Sequence, residues 1–244
     1  MKTEDILSID VYEDILHNLE NIKHFSFVRY GDGEWGMIIK KPYDWYQRMG
    51  VSWGVEIYEA AEEMKRIIMS HPKYIIGLQP SGLRRMEEDI MEFVGTYENL
   101  VNANIFHTRS EKGQLSTFFD ALKKRNVILV GNRHLVKLKT FDFQHIKTAE
   151  ESVWKYNEEL KEKIEKCISE TEDPVILYSS SFSAKILIDH FYNKYQESIT
   201  QIDTGSLFDP YAGVISRSYH GEVVKRLNID PKDIFISKEK TKNR

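Results

Sequence analysis

Residues 26–39 read SFVRYGDGEWGMII, and the run from Gly31 to Gly36 fits two patterns that demand opposite chemistry. G-x-G-x-x-G is the dinucleotide fingerprint, in which backbone N–H groups cradle a pyrophosphate directly. Asp32-Gly33-Glu34 instead sets two carboxylates one residue apart, and acids that face a phosphate need a cation between them. The fingerprint requires a helix of several turns after the glycines and an acidic residue about 20 positions later at the end of the second strand. Here only MIIKKP follows Gly36, with Pro42 stopping any helix early, and Glu56 falls inside a helical pattern, so both requirements are poorly met. A β-hairpin is a further alternative, because Asp-Gly between alternating apolar residues (Phe25, Phe27; Met37, Ile39) is a turn signal. On the metal-site reading, carboxylates at i and i+2 of extended backbone project to one side, and Gly33 lets a ligand approach closely. Such oxygen ligands suit Mg²⁺ or Mn²⁺. Arg29 shares the side-chain parity of Gly31 and Gly33 and reaches the same mouth to pair with a phosphate. A cation with an arginine suits a diphosphate leaving group, the metal acting as a Lewis acid.

Around this stretch the chain has the composition of an ordinary soluble enzyme: 244 residues, 41% hydrophobic and 30% charged. The net charge of −4 and the lack of a basic stripe interleaved with aromatics argue against a nucleic-acid partner. The N-terminus MKTEDILSIDVYEDIL is acidic and amphipathic, unlike a secretory signal. No apolar run approaches the roughly 20 residues of a transmembrane segment, so the expected location is the cytoplasm. Cys167, the single cysteine, excludes internal disulfides and thiolate zinc clusters. It follows Leu160 and Ile164 at helical spacing and reads as a core thiol.

Strand-like runs occur at 25–30, 73–78, 126–131, 143–148, 174–179 and 198–203, with helical periodicity at 4–22, 55–70, 83–97, 113–124, 150–169 and 182–196. This alternation predicts an α/β fold, a mostly parallel sheet flanked by helices, as a single domain over 1–236 with a polar tail at 237–244. Ligands of such sheets sit beyond the carboxyl ends of the strands. The segments there are polar: GDGE (31–34), QPSG (79–82), NRH (132–134), SSS (179–181) and DTGS (203–206). Ser81, Ser181 and Asn132 each have a plain reading as helix caps. Gathered at one edge, Gln79, Ser81, Asn132, His134, Ser180, Ser181 and Asp203 become candidate donor-binding residues with Arg29, Gly31 and Gly33. Asp203 either binds a nucleotide or orients a helix end. Asp209, before Pro210, is either a turn starter or the general base for an acceptor hydroxyl. His107 and Arg109 in FHTRS are candidates for the donor pocket. His17, His71 and His190 read as surface or helix-packing residues.

VRYGDGEWGMI resembles the R-x-G-D-G-E signature of the GT-D glycosyltransferases, once known only as a domain of unknown function and later found in adhesin glycosylation systems. The resemblance extends through YDWYQRMG and EIYEAAEEMKRIIMSHPKYIIGLQ, through NVILVGNRHLVKL, and through SSSFSAKILIDHFYNKYQESITQIDTGS with its Asp-x-Gly. It implies a Rossmann-like GT-D domain, a nucleotide-sugar donor such as a UDP-hexose, and Asp32 and Glu34 as a pair binding Mn²⁺ or Mg²⁺. DTGSLFDPY departs from the family in its later part, which bears on the acceptor. The expected activity is metal-dependent transfer of a hexose from a nucleotide-diphosphate sugar to a hydroxyl of a glycan or glycoprotein. A metal-dependent phosphohydrolase or nucleotidyltransferase, and a non-catalytic nucleotide-sugar-binding module, are the alternatives.

Overall fold

NVILVG and PVILYS are apolar at successive rather than alternate positions, as a strand covered on both faces requires. They form β4 (Asn126–Gly131) and β6 (Pro174–Ser179), paired in parallel along their length. The computed structural model describes residues 2–39, 56–149 and 153–236. Among these residues β4 and β6 belong to a seven-stranded sheet with β1 (Ser26–Tyr30), β2 (Ile75–Leu78), β3 (Leu100–Asn102), β5 (Gln144–Lys147) and β7 (Thr200–Asp203). The order is β3-β2-β1-β7-β6-β4-β5, and every pairing is parallel.

The chain winds outward from β1 through β2 to β3, crosses to β4 and β5, and returns through β6 to β7, which lies beside β1. The segments that follow these two neighbours leave toward opposite faces of the sheet, Trp35 and Met37 after β1 packing on one and Leu207 and Phe208 after β7 on the other, and open parallel sheets bind ligands beyond the carboxyl ends of strands that diverge in this way. One sheet face, with Val28, Tyr30, Ile176 and Tyr178, is covered by α3 (Asp32–Ile39), α4 (Glu56–Met69), α5 (Pro80–Val94), α8 (Asn157–Ser169) and α9 (Ser183–Tyr195). The other face, with Phe27, Val175, Leu177 and Ile202, packs against α2 (Tyr12–Glu20), α6 (Ile105–Lys112) and α7 (Ser116–Leu122). Two-residue strands β8 (Val214–Ile215) and β9 (Phe235–Ile236) pair separately, flanking α10 (His220–Arg226). Among the described residues no helix is long and apolar enough to cross a membrane.

All six expected strands form. The expected helix at 4–22 divides into α1 (Thr3–Ser8) and α2, because Asp10 turns the chain and accepts a hydrogen bond from the Tyr12 N–H at 3.0 Å. The expected helix at 150–169 is described from Val153, as a 3₁₀ turn (Val153–Tyr156) leading into α8. Strand β3 and helices α6 and α10 were not evident in the periodicity. They are short, and β3 is an edge strand held by its neighbour rather than by its own pattern. The aromatic segment 43–50, Pro42 and the tail 237–244 lie outside the described residues. The largest correction concerns residues 32–39. They are neither hairpin nor extended chain but the helix α3.

Gly77 pairs with Arg29 across β2 and β1. A Cβ there would stand 2.9 Å from the Ala103 Cα and 3.1 Å from the Phe27 ring, whereas a Cβ at Gly33 meets nothing within 4 Å. Gly77→Ala is therefore expected to cost about 1–3 kcal/mol by urea denaturation. Gly33→Ala, inside a helix, should leave stability unchanged or raise it by up to about 1 kcal/mol.

Candidate active site

The GDGE turn folds as a helix start because its last acid reaches back over it. Glu34 Oε2 accepts the Gly31 N–H at 3.0 Å, and the Trp35 N–H donates to the Gly31 carbonyl at 3.1 Å. This is half of a capping box, with Gly31 as N-cap and Glu34 three residues on. Trp35, Met37 and Ile38 then bury the inward face of α3. Glu at that spacing, followed by an apolar cluster, was the available sequence signal for this helix. Its consequence is that Asp32 and Glu34 leave the first turn roughly 200° apart instead of sharing one side.

Glu34 turns inward. Lys185, buried in the first turn of α9, places its Nζ 2.8 Å from Glu34 Oε1 and 2.9 Å from Asp203 Oδ2. Burial alone would raise the Glu34 pKa, but the Lys185 charge and hydrogen bond and the Gly31 N–H bring it below the usual carboxylate range. Burial alone would lower the Lys185 pKa, but Asp203 and Glu34 hold it above the ordinary lysine value. Asp203 also accepts the Arg29 N–H on Oδ2 at 3.2 Å and the Gly205 N–H on Oδ1 at 3.0 Å. The Glu34–Lys185–Asp203 triad thus ties the start of α3, the start of α9 and the end of β7 together at the carboxyl edge of the sheet. Lys185 was not singled out from the sequence, since an isolated lysine in an apolar helical stretch carries no motif.

Asp32 turns outward, 39% exposed, with its Oδ2 3.6 Å from the guanidinium of Arg85. Its N–H points to Gln79 Oε1 at 3.4 Å, so Gln79, the N-cap of α5, supports the turn rather than standing open. Ser81 lies half-buried in the first turn of α5.

Arg29 spans the crevice, its Nε donating to the Ala103 carbonyl at 2.9 Å. Gly205 has φ +53°, and a Cβ there would stand 2.5 Å from Arg29 Nη1, so a glycine leaves room for the guanidinium. His107 is buried nearby with its ring edge-on to Tyr219 at 5.6 Å. Burial, and then the charge of Arg29, hold its imidazole well below the usual range, so it is neutral. Arg109 sits elsewhere, paired with Asp10 at 2.8 Å and stacked over the Tyr12 ring at 3.9 Å.

Farther along the edge, the 3₁₀ turn Arg133–Lys137 follows β4 and carries His134. His134 Nε2 lies 2.8 Å from Asp209 Oδ1, and the other Asp209 oxygen accepts the Ser216 hydroxyl. The Ser216 N–H donates in turn to His220 Nδ1 at 3.2 Å. Asn132 caps the turn from its half-buried position, near the Thr148 hydroxyl at 3.4 Å. Ser180 is buried with an unpartnered hydroxyl, while Ser181 is exposed at φ +56° and its carbonyl accepts from Lys185 Nζ at 3.3 Å.

A metal held by an Asp-x-Glu pair needs both carboxylates open toward one point. Glu34 is engaged on both oxygens, Asp32 faces away from it, and Lys185 stands between Glu34 and Asp203. Among the described residues no three His, Cys, Asp or Glu side chains converge as a metal cluster. The acids as placed do not fit a chelated divalent ion, which corrects the same-side argument drawn from extended backbone.

No protein-family profile matches the chain, and no curated protein matches it in sequence. In structure it is similar to a solved protein described as a "highly conserved domain of unknown function 1792" with "a distinct glycosyltransferase fold". The TM-score is 0.62 over 93% of this chain and 90% of that one, at 13% sequence identity. The likeness is one of fold, and the chain has a glycosyltransferase-type α/β fold built on a parallel sheet.

Lys185→Met removes the shared cation and leaves two buried carboxylates unpaired, so a loss of about 3–5 kcal/mol of unfolding free energy, read by urea denaturation, is expected. The lowered Glu34 pKa stabilises the fold above the unfolded value of about 4.3, and that contribution is lost as pH falls through the folded value. Glu34→Gln should therefore be less stable than wild type at pH 7. The gap should narrow between pH 5 and pH 3, as read by chemical denaturation at each pH.

Proposed function

We propose that the protein is a glycosyltransferase that moves a hexose from a nucleotide-diphosphate sugar, UDP-hexose in particular, to a hydroxyl acceptor on a glycan or glycoprotein. The observation that carries this reading is the position of the R-x-G-D-G-E turn. In a fold shared with a described glycosyltransferase fold, it lies beyond the carboxyl end of β1, next to β7, where the segments after the two strands part to opposite faces and parallel sheets bind their ligands. A dinucleotide is less well served, because Gln79 follows β2 where an acid for the ribose would stand.

The residues at that crevice suit an anionic donor without further help. Arg29 offers a guanidinium, and the N-termini of α5 and α9 direct partial positive charge toward the same edge. Lys185 offsets half of the charge on Glu34 and Asp203, so these acids repel a diphosphate less than two bare carboxylates would. Asp32 stays balanced by Arg85 at the rim. A chain with this arrangement binds the diphosphate through cationic side chains and N–H groups, and these stabilise the charge that grows on it as the glycosidic bond breaks.

Two measurements test the reading. Calorimetry with UDP should show binding both in Mn²⁺ and in chelator. Binding in Mn²⁺ alone would mean that a cation displaces Lys185 from Glu34, and absence of binding in either would end the nucleotide reading. Incubation with a panel of UDP-sugars should release UDP only when a hydroxyl acceptor is added. Release of UDP without an acceptor would identify a hydrolase instead, and binding without release under any condition a sensing module.

A further inference from the structure

We infer that His134 is the general base of the transfer step and that Asp209 is its positioning residue, an assignment that rests on the glycosyltransferase reading above. Asp209 by sequence is the acid nearest the acceptor side of the edge, but it has no oxygen to spare. Oδ1 meets His134 Nε2 at 2.8 Å and Oδ2 accepts the Ser216 hydroxyl. Its backbone is pinned as well, since its carbonyl accepts the N–H groups of Ala212 at 3.1 Å and Val214 at 2.8 Å. An ionised carboxylate only accepts hydrogen bonds, so Nε2 must carry the proton of a neutral His134. The lone pair is then on Nδ1, the arrangement in which an imidazole oriented by a buried acid takes a proton from a hydroxyl.

Exposure separates the two partners in the same sense. The His134 side chain is 23% exposed and that of Asp209 11%, so an incoming acceptor meets the imidazole first. Position along the sheet agrees. β4, which carries His134, lies three strand spacings from β1, about 14 Å. The loop bearing Asp209 starts from β7, beside the crevice, and runs across to the turn after β4. A donor whose diphosphate occupies the β1/β7 crevice and whose sugar lies along the edge toward β6 and β4 brings the acceptor to His134. In the step itself the acceptor O–H bond breaks and its proton passes to His134 Nδ1. The acceptor oxygen bonds to the anomeric carbon, and the bond from that carbon to the β-phosphate oxygen breaks, its electron pair leaving with the nucleotide diphosphate. Asp209 then faces an imidazolium, which its negative charge stabilises.

A purely structural role, a clamp joining the turns after β4 and β7, makes different predictions. His134→Ala, with His134→Gln as a second variant in case the first fails to fold, is expected to lower kcat by about 10²–10⁴. UDP affinity and the KM for the UDP-sugar should be unchanged, and added imidazole should restore part of the His134→Ala rate. Asp209→Asn should also lower kcat, because an amide can present an N–H to Nε2 and reverse the tautomer, and imidazole should not rescue it. Wild-type turnover in a folded His134 variant overturns the assignment. So does a kcat loss accompanied by a fall in the urea midpoint and no response to imidazole, which is the clamp. Failure of the wild-type protein to bind UDP, read in the same titrations, would remove the transferase reading itself and the base with it.

Discussion

One buried ammonium organises the carboxyl edge of the sheet. Lys185 arrives on α9, Glu34 on α3 and Asp203 at the end of β7, and both carboxylates lie within 3 Å of the ammonium. Each of these groups would be costly to bury alone. Together they make the conformation of the GDGE turn, the entry of α9 and the end of β7 mutually dependent. Asp203 extends the dependence to β1 through the Arg29 N–H and to the glycine turn after β7 through Gly205. Such an assembly stabilises less than its short distances suggest, because desolvation offsets most of the attraction. It is nonetheless intolerant of losing one member, and that intolerance keeps a single geometry at the crevice.

The same interaction sets the electrostatic character of the site. Acids at the mouth of a phosphate-binding crevice would ordinarily require a metal. Here two of the three share the one ammonium of Lys185, which offsets half of their charge, and the third pairs with Arg85 at the rim. Positive potential comes from Arg29 and the starts of α5 and α9, with a neutral His107 in the field of Arg29. On the proposed function, a site preorganised in this way would need little rearrangement as charge develops on a departing diphosphate. The His134–Asp209–Ser216 chain forms a second polar centre that joins the turns after β4 and β7. In the transfer proposed above, charge stabilisation and proton transfer fall to these two separate clusters of one sheet edge.

The strand runs, the α/β alternation and the placement of polar segments after the strands follow from local pattern, and the sequence alone determined them. A buried parallel strand must be apolar at every position, and a loop at its carboxyl end is released from that requirement, so both leave marks in neighbouring residues. The glycosyltransferase type of that fold was implied instead by the family resemblance of the R-x-G-D-G-E turn, which joins β1 to α3. What only the tertiary structure decided are relations between distant residues. Whether Asp32 and Glu34 share a side depends on one helical turn, and that turn is held by Lys185, 151 positions beyond Glu34. Whether Asp209 is free depends on His134, 75 positions before it. Arg109 looked like a pocket residue until the fold brought Asp10 and Tyr12 beneath it. Charge pairing acts through space at a few ångströms and leaves no periodicity along the chain, so a single sequence names the ionisable residues but not their partners.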